Sequence, residues 1–116
     1  GPASVRLSTT TGPADGNTYQ LLEGAAGKLL RIRGFVKHKG EGKRYWSIAV
    51  HSFTTERNPR KNLLWQDLAH GVSDADWTYF EGEVSIPPDA GDTHLRIYMK
   101  GEGATWLDEV TIEEVR

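Results

Sequence analysis

Residues 30–37 read Leu30-Arg31-Ile32-Arg33-Gly34-Phe35-Val36-Lys37. In an extended chain, successive side chains point to opposite sides. Leu30, Ile32 and Val36 therefore share one side, and the basic side chains share the other. This period of two predicts a β-strand with one buried face and one solvent-facing face.

The same alternation recurs along the chain, and glycine- or proline-containing turns separate the repeats. Further strands are expected at residues 5–8, 18–23, 45–53, 63–67, 77–86, 94–100 and 110–113. We expect the segment Gly40-Glu41-Gly42 to form a tight hairpin turn, and residues 66–71 to form one helical turn. Alternation of this kind is typical of antiparallel sheets packed in two layers. The prediction is an all-β, antiparallel two-sheet β-sandwich of the jelly-roll type, with about eight strands.

Length and composition limit the possible classes of protein. The chain has 116 residues and no cysteine, so a single domain over residues 4–116 is expected, without disulfides or thiolate metal sites. Residues 1–3 are interpreted as the remnant of a protease-cleaved tag. The net charge of −2 and a pI near 6.1 argue against a nucleic-acid partner. No apolar run is long enough to span a bilayer, so no membrane partner is expected.

Charge is distributed unevenly along the chain. Residues 28–61 contain ten basic and two acidic side chains, whereas residues 62–116 contain twelve acidic and three basic ones. The two segments can neutralise each other on the surface, or the basic segment can bind an anionic ligand. The sequence leaves both interpretations open.

Motifs for catalysis are absent from the sequence. There is no nucleophile elbow, no zinc-protease motif and no phosphate-binding glycine loop. Glu81 and Glu83 share one strand face and resemble a glycosidase carboxylate pair, but neighbouring carboxylates on a polar face are usually solvated. We therefore expect a protein that is not an enzyme.

Aromatic side chains are the stronger functional signal. Several fall on the solvent-facing side of their strands, where an uncovered row of rings often marks a ligand surface. Tyr45, Phe53, Trp65 and Tyr98 are the leading candidates for stacking on sugar rings. The other three tryptophans are expected to pack in the core or at its ends: Trp46, Trp77 and Trp106.

Four segments carry a resemblance to a known family. Residues 15–19 (DGNTY), 27–37 (GKLLRIRGFVK), 76–87 (DWTYFEGEVSIP) and 104–112 (ATWLDEVTI) resemble strands and loops of carbohydrate-binding modules with the galactose-binding-like jelly-roll fold, and their order and spacing along the chain agree with that family. The resemblance extends over nearly the whole chain from about residue 12. It implies a non-catalytic, monomeric module that binds a polysaccharide and is tethered to a catalytic domain of a secreted enzyme.

The resemblance also implies a binding site on the concave sheet. The residues that it places near this groove are Tyr45, His51, Phe53, Trp65, Asp67, Arg96 and Tyr98. The ligand would be a β-glucan, xylan or mannan, and an anionic uronic-acid polysaccharide is the alternative. A structural spacer or a protein-docking domain of a large secreted protein is the other alternative.

Many members of this family hold a structural calcium ion. Asp108 matches the first aspartate of the closing motif, which supplies one ligand in the family. The opening Gly-Phe-Glu segment of the family is missing before Val5, so one expected carboxylate ligand is absent. Backbone carbonyls would then have to complete the site.

Overall fold

A computed structural model describes the backbone of residues 3–11 and 16–116, and the side chains of residues 16–116. Residues 1 and 2 of the proposed tag remnant lie outside the described residues. The described part contains no helix that is long and apolar enough to cross a membrane. The strands are β1 (Ala3–Thr11), β2 (Gly16–Leu21), β3 (Leu29–Thr54), β4 (Asn62–Gly71), β5 (Ala75–Ser85) and β6 (Ala90–Glu114).

The two long strands, β3 and β6, pair antiparallel along most of their length, and each contributes to two layers. In the first sheet, residues 29–38 of β3 pair with β5, and residues 103–112 of β6 pair with β1. In the second sheet, residues 46–53 of β3 pair with β4, and residues 94–99 of β6 pair with β2. Each sheet therefore has four strand segments, which confirms the predicted antiparallel sandwich of about eight strands.

The predicted hairpin at residues 40–42 is wrong. β3 continues through this segment, and the register between β3 and β6 shifts between Glu41 and Tyr45. Gly42 has a φ of 69° and Gly101, on β6, has a φ of 94°. Glycine adopts such angles without a steric cost, so both strands bend together and cross from the first sheet into the second. The predicted helical turn at residues 66–71 is also wrong, because these residues belong to β4.

The core lies between the two sheets and contains the side chains that the alternation predicted to be buried. Leu30, Ile32 and Val36 are at most 5% exposed. They pack in one cluster with further side chains of β3, β5 and β6, including Ile48, Val50, Phe80, Val84, Leu95, Ile97, Met99, Leu107 and Val110. Each fully buried side chain of this size contributes roughly 1.5–3 kcal/mol to the free energy of folding.

A buried polar group occupies the bend. His38 is 0% exposed, its Nδ1 lies 2.9 Å from Thr105 Oγ1, and its Nε2 accepts a hydrogen bond of 2.9 Å from Arg44 Nε. Arg44 also forms an ion pair with Asp74. Burial lowers the pKa of His38, and the charge of Arg44 lowers it further. The imidazole is therefore neutral, with its proton on the nitrogen that faces Thr105.

The burial of the three tryptophans outside the groove differs in part from the prediction. Trp46 is 6% exposed and belongs to the core, as expected. Trp77 is 45% exposed on the outer side of β5, so the prediction that it packs in the core is wrong. Trp106 is half-buried on the outer side of the first sheet, where the Lys37 ammonium lies 5.6 Å from its ring centroid.

Candidate functional site

The outer face of the second sheet carries a groove with a volume of about 550 Å³. Its lining residues come from β2, β3, β4, β6 and the segment between β3 and β4: Asn17, Tyr45, His51, Phe53, Arg60, Trp65, Arg96 and Tyr98. Six of the seven residues predicted for the site are in this set. The strand pairing brings them together, since His51 lies opposite Trp65 and Asn17 lies opposite Tyr98.

A small residue, Ala49, lies in the middle of this face. Ala49 of β3 pairs with Asp67 on one side and with Arg96 on the other. Adjacent strands are about 4.8 Å apart, so Asp67 and Arg96 are separated by about 10 Å across the sheet. Ala49 is 0% exposed, so the neighbouring side chains of this face cover its methyl group.

Asp67, the seventh predicted residue, borders the groove. The indole Nε1 of Trp65 donates to its Oδ1 at 2.9 Å, and the hydroxyl of Tyr45 lies 3.4 Å from its Oδ2. The carboxylate therefore holds two aromatic rings of the groove wall in place. That any of these seven residues contacts a ligand remains a prediction.

The aromatic rings of the groove form one continuous cluster. The Trp65 and Tyr98 rings are perpendicular, at 86°, with centroids 6.3 Å apart, and the Tyr45 and Tyr98 centroids are also 6.3 Å apart. Trp65 is 45% exposed, whereas Tyr45 and Tyr98 are half-buried. The rings of these three residues form the open wall of the groove.

His51 and Phe53 form the floor rather than an open surface. They are 9% and 7% exposed, and their ring centroids are 4.1 Å apart. The guanidinium of Arg60 lies 3.7 Å from the centroid of the Phe53 ring and covers it. The prediction that the Phe53 ring is open to solvent is therefore wrong. Alternation along β3 places Phe53 on this face correctly, but the segment that covers it lies outside the strand.

Hydrogen bonding sets the protonation of His51. Its Nε2 lies 2.8 Å from Asn62 Oδ1, and because a carbonyl oxygen accepts, this nitrogen carries the proton. Burial lowers the pKa of His51, and the positive charges of Arg96 and Arg60 act in the same direction. His51 is therefore a neutral part of the floor.

Arg96 is the most buried charge in the groove, at 8% exposed. Its Nη1 donates to Asn17 Oδ1 at 2.7 Å, and its Nη2 donates to His94 Nδ1 at 2.7 Å. Its guanidinium carbon also lies 5.0 Å from the centroid of the Tyr19 ring. Burial lowers the pKa of Arg96, because the charged form loses hydration.

Four residues of this site were not predicted: Asn17, Tyr19, Arg60 and His94. Tyr19 is 55% exposed and stacks on His94 with a centroid separation of 4.2 Å. The period of two along β2 and β6 could have placed Tyr19 and His94 on one face. Arg60 lies in the segment between β3 and β4, where no periodicity applies, and only the folded chain brings it over Phe53.

The outer face of the first sheet explains the uneven charge distribution. Arg31 pairs with Glu83 at 2.6 Å and with Glu113 at 3.5 Å, and Arg33 pairs with Glu113 at 3.2 Å. The basic and acidic segments therefore neutralise each other on this sheet. Glu81 and Glu83 face arginines across the strands, which is unlike the arrangement of a catalytic carboxylate pair.

The described residues do not gather a calcium site around Asp108. Its Oδ1 accepts a hydrogen bond of 2.8 Å from the backbone N–H of Glu109. Within residues 16–116, no group of three or more acidic or histidine side chains is positioned to hold a metal ion. Calcium takes six to eight oxygen ligands, so a site at Asp108 would depend on backbone carbonyls.

The chain is similar to known proteins in structure but not in sequence. No family profile and no curated protein sequence matches the chain significantly. The CBM22-1–GH10 modules of the Clostridium thermocellum endo-1,4-β-D-xylanase 10B, complexed with xylohexaose, superpose with a TM-score of 0.66 at 19% identity, over 96% of this chain and 22% of that one.

Two further structures show how widely the fold occurs. The CBM22-1 xylan-binding domain of Paenibacillus barcinonensis Xyn10C superposes with a TM-score of 0.66 at 19% identity, over 96% of this chain and 72% of that one. The enzymatically active domain of the bacteriophage CBA120 tailspike protein 4 superposes with a TM-score of 0.61 at 14% identity, over 97% of this chain and 15% of that one. At these identities the likeness establishes the fold: this chain has the jelly-roll β-sandwich fold of carbohydrate-binding modules.

Proposed function

We propose that this chain is a non-catalytic module that binds a polysaccharide in the groove of the second sheet. The observation that carries the proposal is the continuous wall of partly exposed rings formed by Tyr45, Trp65 and Tyr98. The fold is consistent with this function but does not establish it, because one fold serves many functions.

The chemistry of the groove suits a pyranose chain. The C–H face of a sugar ring can lie against the exposed side of Trp65, whose orientation is held by Asp67. Hydroxyl groups can hydrogen-bond to the carboxylate of Asp67 and to the guanidinium of Arg96, about 10 Å across the sheet. A shallow, hydrated groove buries little area per sugar, so we expect dissociation constants of roughly micromolar to millimolar.

Such a module would act by tethering. Attached to the catalytic domain of a secreted enzyme, a monomeric module raises the effective concentration of that domain near its polymer. Two of the similar structures are described as a xylan-binding domain and as xylanase modules with xylohexaose. Xylan is therefore the first polymer to test, followed by β-glucan and mannan.

The test uses two tryptophans that are equally exposed on opposite sheets. Trp65 and Trp77 are both 45% exposed, and only Trp65 lines the groove. In affinity electrophoresis through gels that contain xylan, β-glucan or mannan, we expect retardation of the wild type and of Trp77→Ala. Trp65→Ala and Tyr98→Ala should migrate as in a gel without polysaccharide.

The result also separates this function from a structural role. The second candidate is a spacer or a protein-docking domain, since one fold serves many functions. The absence of retardation in every neutral and acidic polymer would favour that candidate. Equal loss of retardation in Trp65→Ala and Trp77→Ala would show that the groove is not the site.

A further inference from the structure

The basic end of the groove has fewer carboxylates beside its arginines than the outer face of the first sheet has. We propose that Arg96 and Arg60 bind the carboxylate of an acidic sugar, so that the polysaccharide is one that contains uronic acid. This inference rests on the proposed function and names the class of sugar that the groove takes.

Arg96 is more than nine-tenths buried and has only neutral partners. Asn17 accepts from its Nη1, and His94 accepts through an unprotonated Nδ1. No carboxylate pairs with Arg96 among residues 16–116, and its Nε is buried from solvent and has no partner there. A guanidinium has five N–H donors, and the contacts described account for two of them. Burial without a counter-charge is costly, and a ligand that brings the counter-charge relieves that cost.

Arg60 extends the positive charge along the same groove. It lies over Phe53 at 3.7 Å and pairs with Asp92 at 3.2 Å. Asp92 also pairs with Arg57 at 3.3 Å, so one carboxylate serves two arginines. Two arginines, Arg60 and Arg96, therefore line the groove, and Arg60 shares its carboxylate partner with Arg57.

The neighbouring histidines do not add to the positive charge of the groove. His94 and His51 both have pKa values lowered by burial, and the charge of Arg96 lowers both further. They are therefore neutral at pH 7. Asp67, the acidic residue of the opposite wall, accepts from Trp65 and Tyr45 and lies about 10 Å from Arg96 across the sheet.

The arginines on the first sheet, in contrast to Arg96, have carboxylate partners. Arg31 and Arg33 each face carboxylates from neighbouring strands at 2.6–3.8 Å. A sugar carboxylate accepts two parallel hydrogen bonds from a guanidinium, which a hydroxyl group cannot do. With its acid group toward Arg96 and its hydroxyls toward Asp67, a uronic acid would lie across the groove.

The test compares sugars that differ only in the acid group. Isothermal titration at pH 7 would use xylo-oligosaccharides that carry glucuronic acid and oligogalacturonates, each beside its carboxyl-reduced form, together with xylohexaose. We expect the acidic form of at least one pair to bind about tenfold more tightly, since hydrogen bonds between charged groups are about twice as strong as neutral ones. That advantage should shrink as the salt concentration rises.

Substitutions in the groove test whether its arginines cause the preference for acidic sugars. Arg96→Gln should abolish the preference for the acidic form, and Arg60→Gln should reduce it severalfold. Arg60 has a side chain that is 35% exposed, so its replacement leaves the fold intact even if Arg96→Gln does not fold. Arg33→Gln, on the outer face of the first sheet, is the matched control and should keep the full preference.

Three results would overturn the inference. Equal binding of every acidic sugar and its reduced form would exclude acid recognition and leave the proposed function standing. An equal loss of preference in Arg33→Gln and Arg60→Gln would place the effect outside the groove. The absence of binding to every sugar, neutral or acidic, would overturn the proposed function as well.

Discussion

Replacing Gly101 by alanine tests whether the two sheets are formed by strands that bend at one point. Gly101 has a φ of 94°, and a Cβ placed on it would lie 2.6 Å from the carbonyl oxygen of Lys43 and 2.8 Å from the Cβ of Arg44. Both belong to the bent part of β3. Neither the backbone oxygen nor the strand that carries it can move without changing the crossing between the sheets.

The expected loss of stability has two parts. A left-handed backbone conformation costs an L-residue about 1–2 kcal/mol. Overpacking against neighbouring atoms costs about 1–3 kcal/mol more. Gly24 provides the matched control, because its φ is 68° and a Cβ there would meet no atom within 4 Å. Gly24→Ala should therefore show the first cost without the second.

Urea unfolding followed by tryptophan fluorescence measures the difference. For small domains the free energy of unfolding falls by about 1–3 kcal/mol per molar urea, so the two midpoints should differ by about 1 M. Gly101→Ala should have the lower midpoint. Equal midpoints for the two variants would refute the close crossing of β3 and β6 at this position.

Three other predictions concern the core, the bend and the groove. Ile97→Ala, at a position that is 0% exposed, should lower the free energy of unfolding by about 2–5 kcal/mol, and a loss below 1 kcal/mol in urea melts would contradict the core packing. The pKa of His38 is lowered from 6.5 by burial and by Arg44, so the unfolded chain binds the proton more readily than the folded one. Stability should therefore fall as the pH is lowered below 6.5, and His38→Asn should show a smaller fall in thermal melts between pH 7.5 and 5. Asp67→Ala should release the Trp65 indole, which changes its fluorescence and weakens sugar binding about fivefold, whereas Asp67→Asn should preserve both, since its amide oxygen still accepts. Unchanged fluorescence in Asp67→Ala would show that the hydrogen bond does not orient the ring.

The residues of the groove could be predicted in part from their positions along the strands. Tyr45, His51 and Phe53 share one face of β3 because they are separated by even numbers of residues. The alternation of side chains along a strand does not show whether a face is open to solvent. Phe53, for example, is covered by Arg60, which lies in a segment without regular structure. The shortage of carboxylates around Arg96 was also not visible, because it depends on which strands lie side by side.

Local alternation of apolar and polar residues was sufficient to predict an all-β sandwich, its buried side chains and a face rich in aromatic residues. These properties depend on the side-chain geometry of an extended backbone, which neighbouring residues specify. The bend of β3 and β6 at Gly42 and Gly101, the open or covered state of each ring, and the pairing of each charge required the folded chain. They arise from contacts between residues far apart in sequence, and no pattern within a single strand records which distant segment will lie against it.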